Sequence, residues 1–122
     1  MTKAIIANLE KMLGGPRDGA LLRYSLGNEW LKAGNPAQAA GCFRAAIEFD
    51  AKYSAAWKLL GKALAENGET QAALAAFTQG IEVAKARGDV QAAKEMGVFA
   101  RRLRKQLDGN GSKAEGQPKA KP

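Results

Sequence analysis

The fold of this chain is decided by the stretch WKLLGKALAENGETQAALAAFTQGIE, residues 57–82. An upstream stretch, RYSLGNEWLKAGNPAQAAGCFRAAIE at residues 23–48, has the same pattern after a step of 34 residues. Seven equivalent positions are identical, and nearly all of them hold small or apolar residues. The pairs are Leu26/Leu60, Gly27/Gly61, Gly34/Gly68, Ala39/Ala73, Phe43/Phe77, Ile47/Ile81 and Glu48/Glu82. A unit that keeps such positions while the others vary keeps the packing between its helices.

Each unit has the pattern of two amphipathic helices joined by a turn. The first helix of the second unit has the i, i+3, i+4, i+7 spacing of one helix face at Trp57, Leu60, Gly61 and Leu64. Gly68 then suits the left-handed residue that ends a helix, and Thr70 is placed to cap the next one. In the first unit Gly34 ends a helix, and Asn35 is placed to cap its successor, with Pro36 at the first helical position. No stretch of useful length has the period-two alternation of a strand.

The composition is that of a small globular protein with an excess of positive charge. The chain has 122 residues, 46% of them hydrophobic and 25% charged, and its formal net charge is +7, which favours an acidic partner. No apolar run approaches the roughly 20 residues of a membrane span. The apolar N-terminal segment, interrupted by Asn8 and Glu10, is too short and too polar for a secretory signal. Because Cys42 is the single cysteine, no internal disulfide can form, and we expect a cytoplasmic protein without a membrane partner.

The two units resemble tetratricopeptide repeats. The motif Trp57-x-x-Leu60-Gly61-x-x-Leu64, followed by Ala73-x-x-x-Phe77, carries the resemblance, and the first unit matches with Leu26-Gly27-x-x-Trp30 and Ala39-x-x-x-Phe43-x-x-Ala46. Three positions depart from the family pattern: Arg23 replaces a large aromatic residue, Gly80 replaces Ala and Lys85 replaces Pro. The resemblance implies an all-α fold, a right-handed solenoid of antiparallel helix pairs. Trp30 and Trp57 align with the apolar stripes of their helices, so we expect both to pack in the core.

The same spacing continues into both ends of the domain. A step of 34 residues back from the first unit reaches Ile5, Leu9 and Met12, and a step of 36 beyond the second reaches Ala93, Met96, Gly97 and Ala100. We therefore expect a domain over residues 1–107, with a half-repeat helix at 3–13, repeats at 20–53 and 54–87, and a capping helix at 89–107. About six helices are predicted, near residues 3–13, 19–33, 36–49, 53–67, 70–86 and 89–107. Residues 108–122 contain no large apolar side chain, and we expect them to be disordered.

Nothing in the sequence indicates catalysis, a cofactor or a metal. The chain contains no His, which excludes Ser-His and Cys-His nucleophiles. Its acidic residues lack the spacing of a calcium-binding loop, and the pairs Gly14-Gly15 and Gly109-x-Gly111 lack the context of a phosphate-binding loop. Cys42 lies within a predicted helix among small residues, where packing explains it better than reactivity. We therefore predict a non-enzymatic protein without a cofactor.

The resemblance implies that the first helix of each pair lines a concave groove that binds peptides. The implied groove positions are Leu21, Tyr24, Asn28, Leu31, Lys32, Ala55, Lys58, Lys62, Ala65, Glu66, Gln91, Lys94, Val98, Arg101 and Arg102. Among them we predict binding residues at Tyr24, Asn28, Lys32, Lys58, Lys62, Lys94 and Arg101. Four cations, Lys58, Lys62, Lys94 and Arg101, are expected to stack across adjacent helices and to contact acidic residues of a short peptide. The alternative interpretation is an ordinary solvated helix face.

Two other functions are kept as alternatives to a peptide-binding adaptor. The basic segment ARRLRKQL, residues 100–107, and the tail favour nucleic acid, although aromatic and basic residues are not interleaved there as base stacking requires. Some of that charge is explained by the favourable meeting of cations with a helix C-terminus. A self-associating module is the second alternative, because Ala92, Phe99 and Leu103 lie beside the main apolar stripe and are expected to be exposed. The oligomeric state stays open, with a monomer favoured.

Overall fold

The computed structural model describes residues 2–115 of the chain, and within that range it contains six helices and no strand. The helices are α1 (Thr2–Glu10), α2 (Ala20–Lys32), α3 (Pro36–Phe49), α4 (Ser54–Glu66), α5 (Thr70–Arg87) and α6 (Val90–Glu115). The predicted all-α class and the six helices are confirmed, with most boundaries within one to three residues of those expected from the sequence. None of the described helices is both long enough and apolar enough to cross a membrane.

The helices are arranged in two layers. Each helix packs against the next one along the chain, and the short turns between them make neighbours antiparallel. Among the described residues α2 also contacts α4, and α4 contacts α6, whereas α3 does not contact α5. Successive helices lie closer together on the inside of a curved array than on its outside. The layer of α2, α4 and α6 is therefore the inner, concave side.

The core is centred on two phenylalanines at equivalent positions. Phe43 of α3 and Phe77 of α5 are almost completely buried, and burying a side chain of this kind contributes about 1.5–3 kcal/mol. The two tryptophans pack against this core but stay half-buried. Trp57 donates its indole Nε1–H to the carbonyl oxygen of Ala51 at 2.8 Å, so the ring also ties the α3–α4 turn to α4.

The turns follow the predicted chemistry, with one exception. Gly34 and Gly68 have φ values of 79° and 82°, the left-handed conformation that glycine adopts without strain. Asn35 caps α3 by accepting the backbone N–H of Gln38 at 3.2 Å. Thr70 does not cap α5, because it is the first residue inside that helix and Glu69 holds the capping position without a side-chain bond to it. The prediction for Thr70 was therefore wrong by one position.

Arg23, which replaces a large aromatic residue, holds the turn before α2. Its Nε and Nη2 donate to the two carboxylate oxygens of Asp18, each at 2.9 Å, and Asp18 also accepts the backbone N–H of Gly14 at 2.9 Å. The hydrogen bond from Arg23 is the main reason that the pKa of the Asp18 carboxyl lies well below its usual range. The guanidinium carbon lies 5.7 Å from the centre of the Phe49 ring. Arg23 thus replaces an apolar contact by a forked ion pair and a contact with an aromatic face.

The last helix is longer than the sequence predicts. It continues to Glu115, whereas residues 108–122 were expected to be disordered. The helix therefore extends past residue 107, where the capping helix was expected to end, and the disorder of the tail stays a prediction. The rest of the predicted tail, residues 116–122, lies outside the described residues.

The apolar residues beside the main stripe of α6 are not exposed as expected. Ala92 and Leu103 are only 8% and 7% accessible, and the ring of Phe99 stacks on that of Phe77 with 5.4 Å between centroids. Ala92 and Leu103 are buried and Phe99 is half-buried, because α6 contacts α4 as well as α5. Most of the apolar surface on which the self-association hypothesis rested is therefore buried, and self-association stays an alternative.

Candidate functional site

The groove residues of α2 are partly engaged in structural contacts. The ring of Tyr24 lies 4.9 Å from that of Tyr53 and 5.8 Å from that of Phe43, measured between centroids, so Tyr24 joins α2 to the start of α4. Asn28 follows one turn later and is half-buried. Lys32 is exposed, and its Nζ lies 3.3 Å from Glu29 Oε2 on the same helix. Of these three residues, Lys32 is exposed, whereas Tyr24 and Asn28 are both half-buried.

Lys58 is held by an ion pair between two inner helices. Its Nζ lies 2.8 Å from Oε1 of Glu95 on α6, and Glu95 also accepts a hydrogen bond from Gln91 Nε2 at 3.1 Å. The hydrogen bond from Lys58 is the main cause of a lowered pKa for the Glu95 carboxyl. Lys58 therefore neutralises the Glu95 carboxylate of the same chain and joins α4 to α6. It is not a free cation for a ligand.

A cleft with an apolar floor lies between α4 and α6. Its volume is about 230 Å³, and its walls are formed by Lys62, Ala65, Glu66, Phe77, Phe99, Arg102, Leu103 and Gln106. The Nζ of Lys62 lies 5.5 Å from the centre of the Phe99 ring, a distance at which a cation is attracted to the face of the ring. Lys62 and Arg102 supply positive charge to this cleft, and Glu66 supplies the opposing charge. We call this the inner cleft.

Lys94 and Arg101 lie in a different place from Lys58 and Lys62. They line a cleft of about 710 Å³ on the side of α6 that faces away from α4. Residues of α5, including Ile81 and Lys85, also line this cleft. The predicted stack of four cations on one groove is therefore divided between two surfaces. The physical reason is that α6 is the last helix of the described residues. In α4, these positions face the next inner helix, α6. The equivalent positions of α6 face the open end of the described array. We call this second surface the end cleft.

Asp89 fixes the position of α6 relative to α4. Its Oδ1 accepts the backbone N–H of Ala92 at 3.2 Å, which caps α6. Its Oδ2 accepts the hydroxyl of the buried Ser54, the first residue of α4, at 2.8 Å. The hydrogen bond from Ser54 is the main cause of a lowered pKa for the Asp89 carboxyl. The Asp89 side chain thus caps α6 and joins the starts of two inner helices.

The described side chains offer no evident catalytic constellation. No group of three or more His, Cys, Asp or Glu residues that could hold a metal ion occurs among them. The Cys42 thiol is half-buried, and burial raises its pKa, which lowers the fraction of reactive thiolate. What the arrangement offers is two clefts in which apolar and cationic groups lie side by side, which suits binding.

Sequence reasoning missed the partners of the groove lysines. Glu95 and Phe99 lie 37 residues after Lys58 and Lys62, one position beyond the step of 36 that relates the capping helix to the second repeat. One residue is a rotation of about 100° on a helix, so that step selects Lys94 and Val98 instead. The opposite charges of Lys58 and Glu95 could have predicted this ion pair. That prediction requires knowing which positions of α4 and α6 face each other, and only the packing of the two helices gives this.

The fold defines an α-helical repeat protein, and comparison with known proteins identifies the family. A curated TPR repeat-containing protein of Pseudomonas aeruginosa is 48% identical over 99 residues, which are 81% of this chain and 94% of that relative. No protein-family model matches the chain. The chain belongs to the tetratricopeptide repeat proteins. Members of this family are typically non-enzymatic and mediate interactions between proteins.

Solved structures with the same architecture agree with this assignment. The solution structure of a protein from Bordetella parapertussis gives a TM-score of 0.73 at 41% identity and covers 84% of this chain and 90% of that one. The solution structure of a tetratricopeptide repeat domain protein from Salinibacter ruber gives a TM-score of 0.65 at 31% identity, over 72% of this chain and 88% of that one. These likenesses support an all-α helical repeat solenoid for this chain.

Proposed function

We propose that this protein is an adaptor that binds a short acidic segment of another protein in the inner cleft. The observation that carries the proposal is the position of Lys62 beside the Phe99 ring, 5.5 Å from its centre. A cation next to a half-buried aromatic ring that lines a cleft suits a peptide that carries a carboxylate close to an apolar side chain. Because Lys58 is neutralised by Glu95, Lys62 and Arg102 supply the contacts with the carboxylate.

The size of the surface limits the affinity. Two full repeats give a short groove, and the inner cleft of about 230 Å³ has room for one or two side chains. A small interface offsets little of the entropy lost on association, so we expect a dissociation constant on the order of micromolar. We expect Asn28 on α2 to bond to the backbone of a peptide that extends beyond the cleft.

The proposal is tested with peptides selected from a displayed library on the wild-type protein. Selected peptides should contain Asp or Glu next to a large apolar residue. Each peptide is then titrated against the double charge reversal Lys62→Glu with Arg102→Glu. The matched control is Lys11→Glu with Arg44→Glu, which makes the same change in net charge at two exposed positions away from the cleft. Circular dichroism establishes first that both variants keep the helical fold.

We expect the cleft variant to bind at least tenfold more weakly and the control to bind like wild type. Equal loss in both variants would mean that net charge alone attracts the peptide, and no loss in either would reject the inner cleft. A titration with single-stranded DNA addresses the alternative function. If DNA binds more tightly than the peptides and its affinity falls steeply with added salt, nucleic-acid binding replaces the proposal.

A further inference from the structure

The second surface, the end cleft, repeats a contact that holds each repeat together. In both repeats a glycine of the first helix lies against the phenylalanine ring of the second. A methyl group on Gly27 would lie 2.5 Å from Cε1 of Phe43, and one on Gly61 would lie 2.5 Å from Cε1 of Phe77. Non-bonded carbon atoms do not approach each other this closely. The ring therefore fits only because the glycine has no side chain. We call the space that each glycine leaves for the ring a socket.

Gly97 on α6 has the sequence position of this socket but no ring against it. It follows Met96 as Gly61 follows Leu60. A methyl group on Gly97 would meet only the Arg101 guanidinium, at 3.8 Å. The end cleft of about 710 Å³ lies over it. Among the described residues, therefore, α6 presents the socket of a first helix with no second helix to fill it.

The walls and rim of the end cleft indicate what would fit. Ile81 and Val98 provide apolar contacts, and Val98 and Val90 are 37% and 61% exposed. Four cations also line this cleft: Lys85, Lys94, Arg101 and Arg104. None of the four has a salt bridge to an acidic side chain within the described part of the chain. A cleft lined by apolar side chains and four cations complements an amphipathic helix that carries acidic residues beside its apolar face.

We propose that the end cleft docks an acidic amphipathic helix of a partner protein, with an aromatic side chain of that helix against Gly97. The helix would lie where the second helix of a further repeat belongs, antiparallel to α6 and beside α5. This surface is separate from the inner cleft, so the two proposals stand or fall independently. A second copy of this chain is a poorer occupant. Its α1 has no aromatic residue and carries Lys3 beside the cationic rim, and like charges oppose docking.

The probe for the test is a synthetic helix derived from α5, residues 70–84, in which Phe77 already fits the socket of Gly61. Three exposed positions are made acidic by Gln71→Glu, Ala75→Glu and Gln79→Glu. A second peptide also carries Phe77→Ala. Fluorescence anisotropy of the labelled peptides measures their affinity for the wild-type protein and for Gly97→Leu, which fills the socket. The matched control is Gly41→Leu, at an exposed helical glycine with nothing within 4 Å of the added atom.

We expect the wild-type protein and Gly41→Leu to bind the probe equally, and Gly97→Leu to bind it at least tenfold more weakly. The peptide with Phe77→Ala should lose a similar factor on the wild-type protein. The double reversal Lys62→Glu with Arg102→Glu should leave probe binding unchanged, which separates this result from the inner cleft. Absence of binding to wild type, or equal binding by Gly97→Leu, overturns the proposal. So does a wild-type mass that rises with concentration in light scattering and stays monomeric in Gly97→Leu, because a second copy would then occupy the cleft.

Discussion

Gly61 and Phe77 form one contact. The phenylalanine ring lies so close to the glycine that an added methyl group would be 2.5–2.6 Å from three ring atoms. The same relationship joins Gly27 to Phe43 in the preceding repeat. Two of the positions that recur at a step of 34 residues are therefore the two halves of a single helix–helix contact.

Replacing Gly61 should destabilise the fold, whereas the same change at Gly97 should not. Gly61→Ala places a methyl group against a ring that is 1% exposed, and overpacking of a close-packed core costs about 1–3 kcal/mol. Gly97→Ala meets no such obstacle and replaces a helical glycine by alanine, which favours the helix by about 0.5–1 kcal/mol. Urea denaturation followed by circular dichroism measures both. Equal effects at the two positions would contradict the difference in packing described here.

Gly80 should not tolerate the alanine that is usual in the family. A methyl group there would lie 2.5 Å from the Met96 sulfur and 2.7 Å from Cβ of Trp57. The Met96 side chain can move, but the position of the Trp57 Cβ is fixed by the backbone of α4. We therefore expect Gly80→Ala to lower the free energy of unfolding by about 1–3 kcal/mol. The free energy of unfolding from denaturant titration provides the check. If the variant is as stable as wild type, α4 and α5 are less closely packed than the structure indicates.

The link between Asp89 and Ser54 should make stability depend on pH in the acid range. The pKa of the Asp89 carboxyl is lowered from an ordinary value of 3.8. Its contribution is therefore fully present above that value and is lost as the pH falls through the lower, folded-state pKa. We expect Asp89→Asn to melt below wild type at pH 7, and the difference in melting temperature to shrink below about pH 4. A difference that is constant with pH would show that only hydrogen-bond geometry is lost.

Cys42 should react slowly with thiol reagents while the protein is folded. Burial raises the pKa of the thiol, and the thiolate is the nucleophile. At pH 8 we expect alkylation by iodoacetamide to be at least several-fold slower than that of a cysteine peptide, and to reach the peptide rate in denaturant. A folded-state rate equal to or above that of the peptide would restore the reactive-thiol interpretation.

Local sequence patterns were sufficient for the elements and for their order. The apolar spacing around Leu60 and Leu64 predicts a helix because 3.6 residues per turn bring these side chains to one face. Gly34 and Gly68 mark helix ends because glycine adopts a positive φ without strain. A repeat that preserves Gly61 and Phe77 preserves the contact between two helices, so the family could be inferred from the chain itself.

Tertiary structure alone decided which charged side chains share a surface. Lys58 and Lys62 face α6, where they contact Glu95 and Phe99 respectively. Lys94, at the position equivalent to Lys58, faces the open end of the described array. The sequence pattern is the same at both places. The difference arises because a repeat pattern specifies which face of a helix a residue occupies, and the environment of that face depends on whether another helix packs against it.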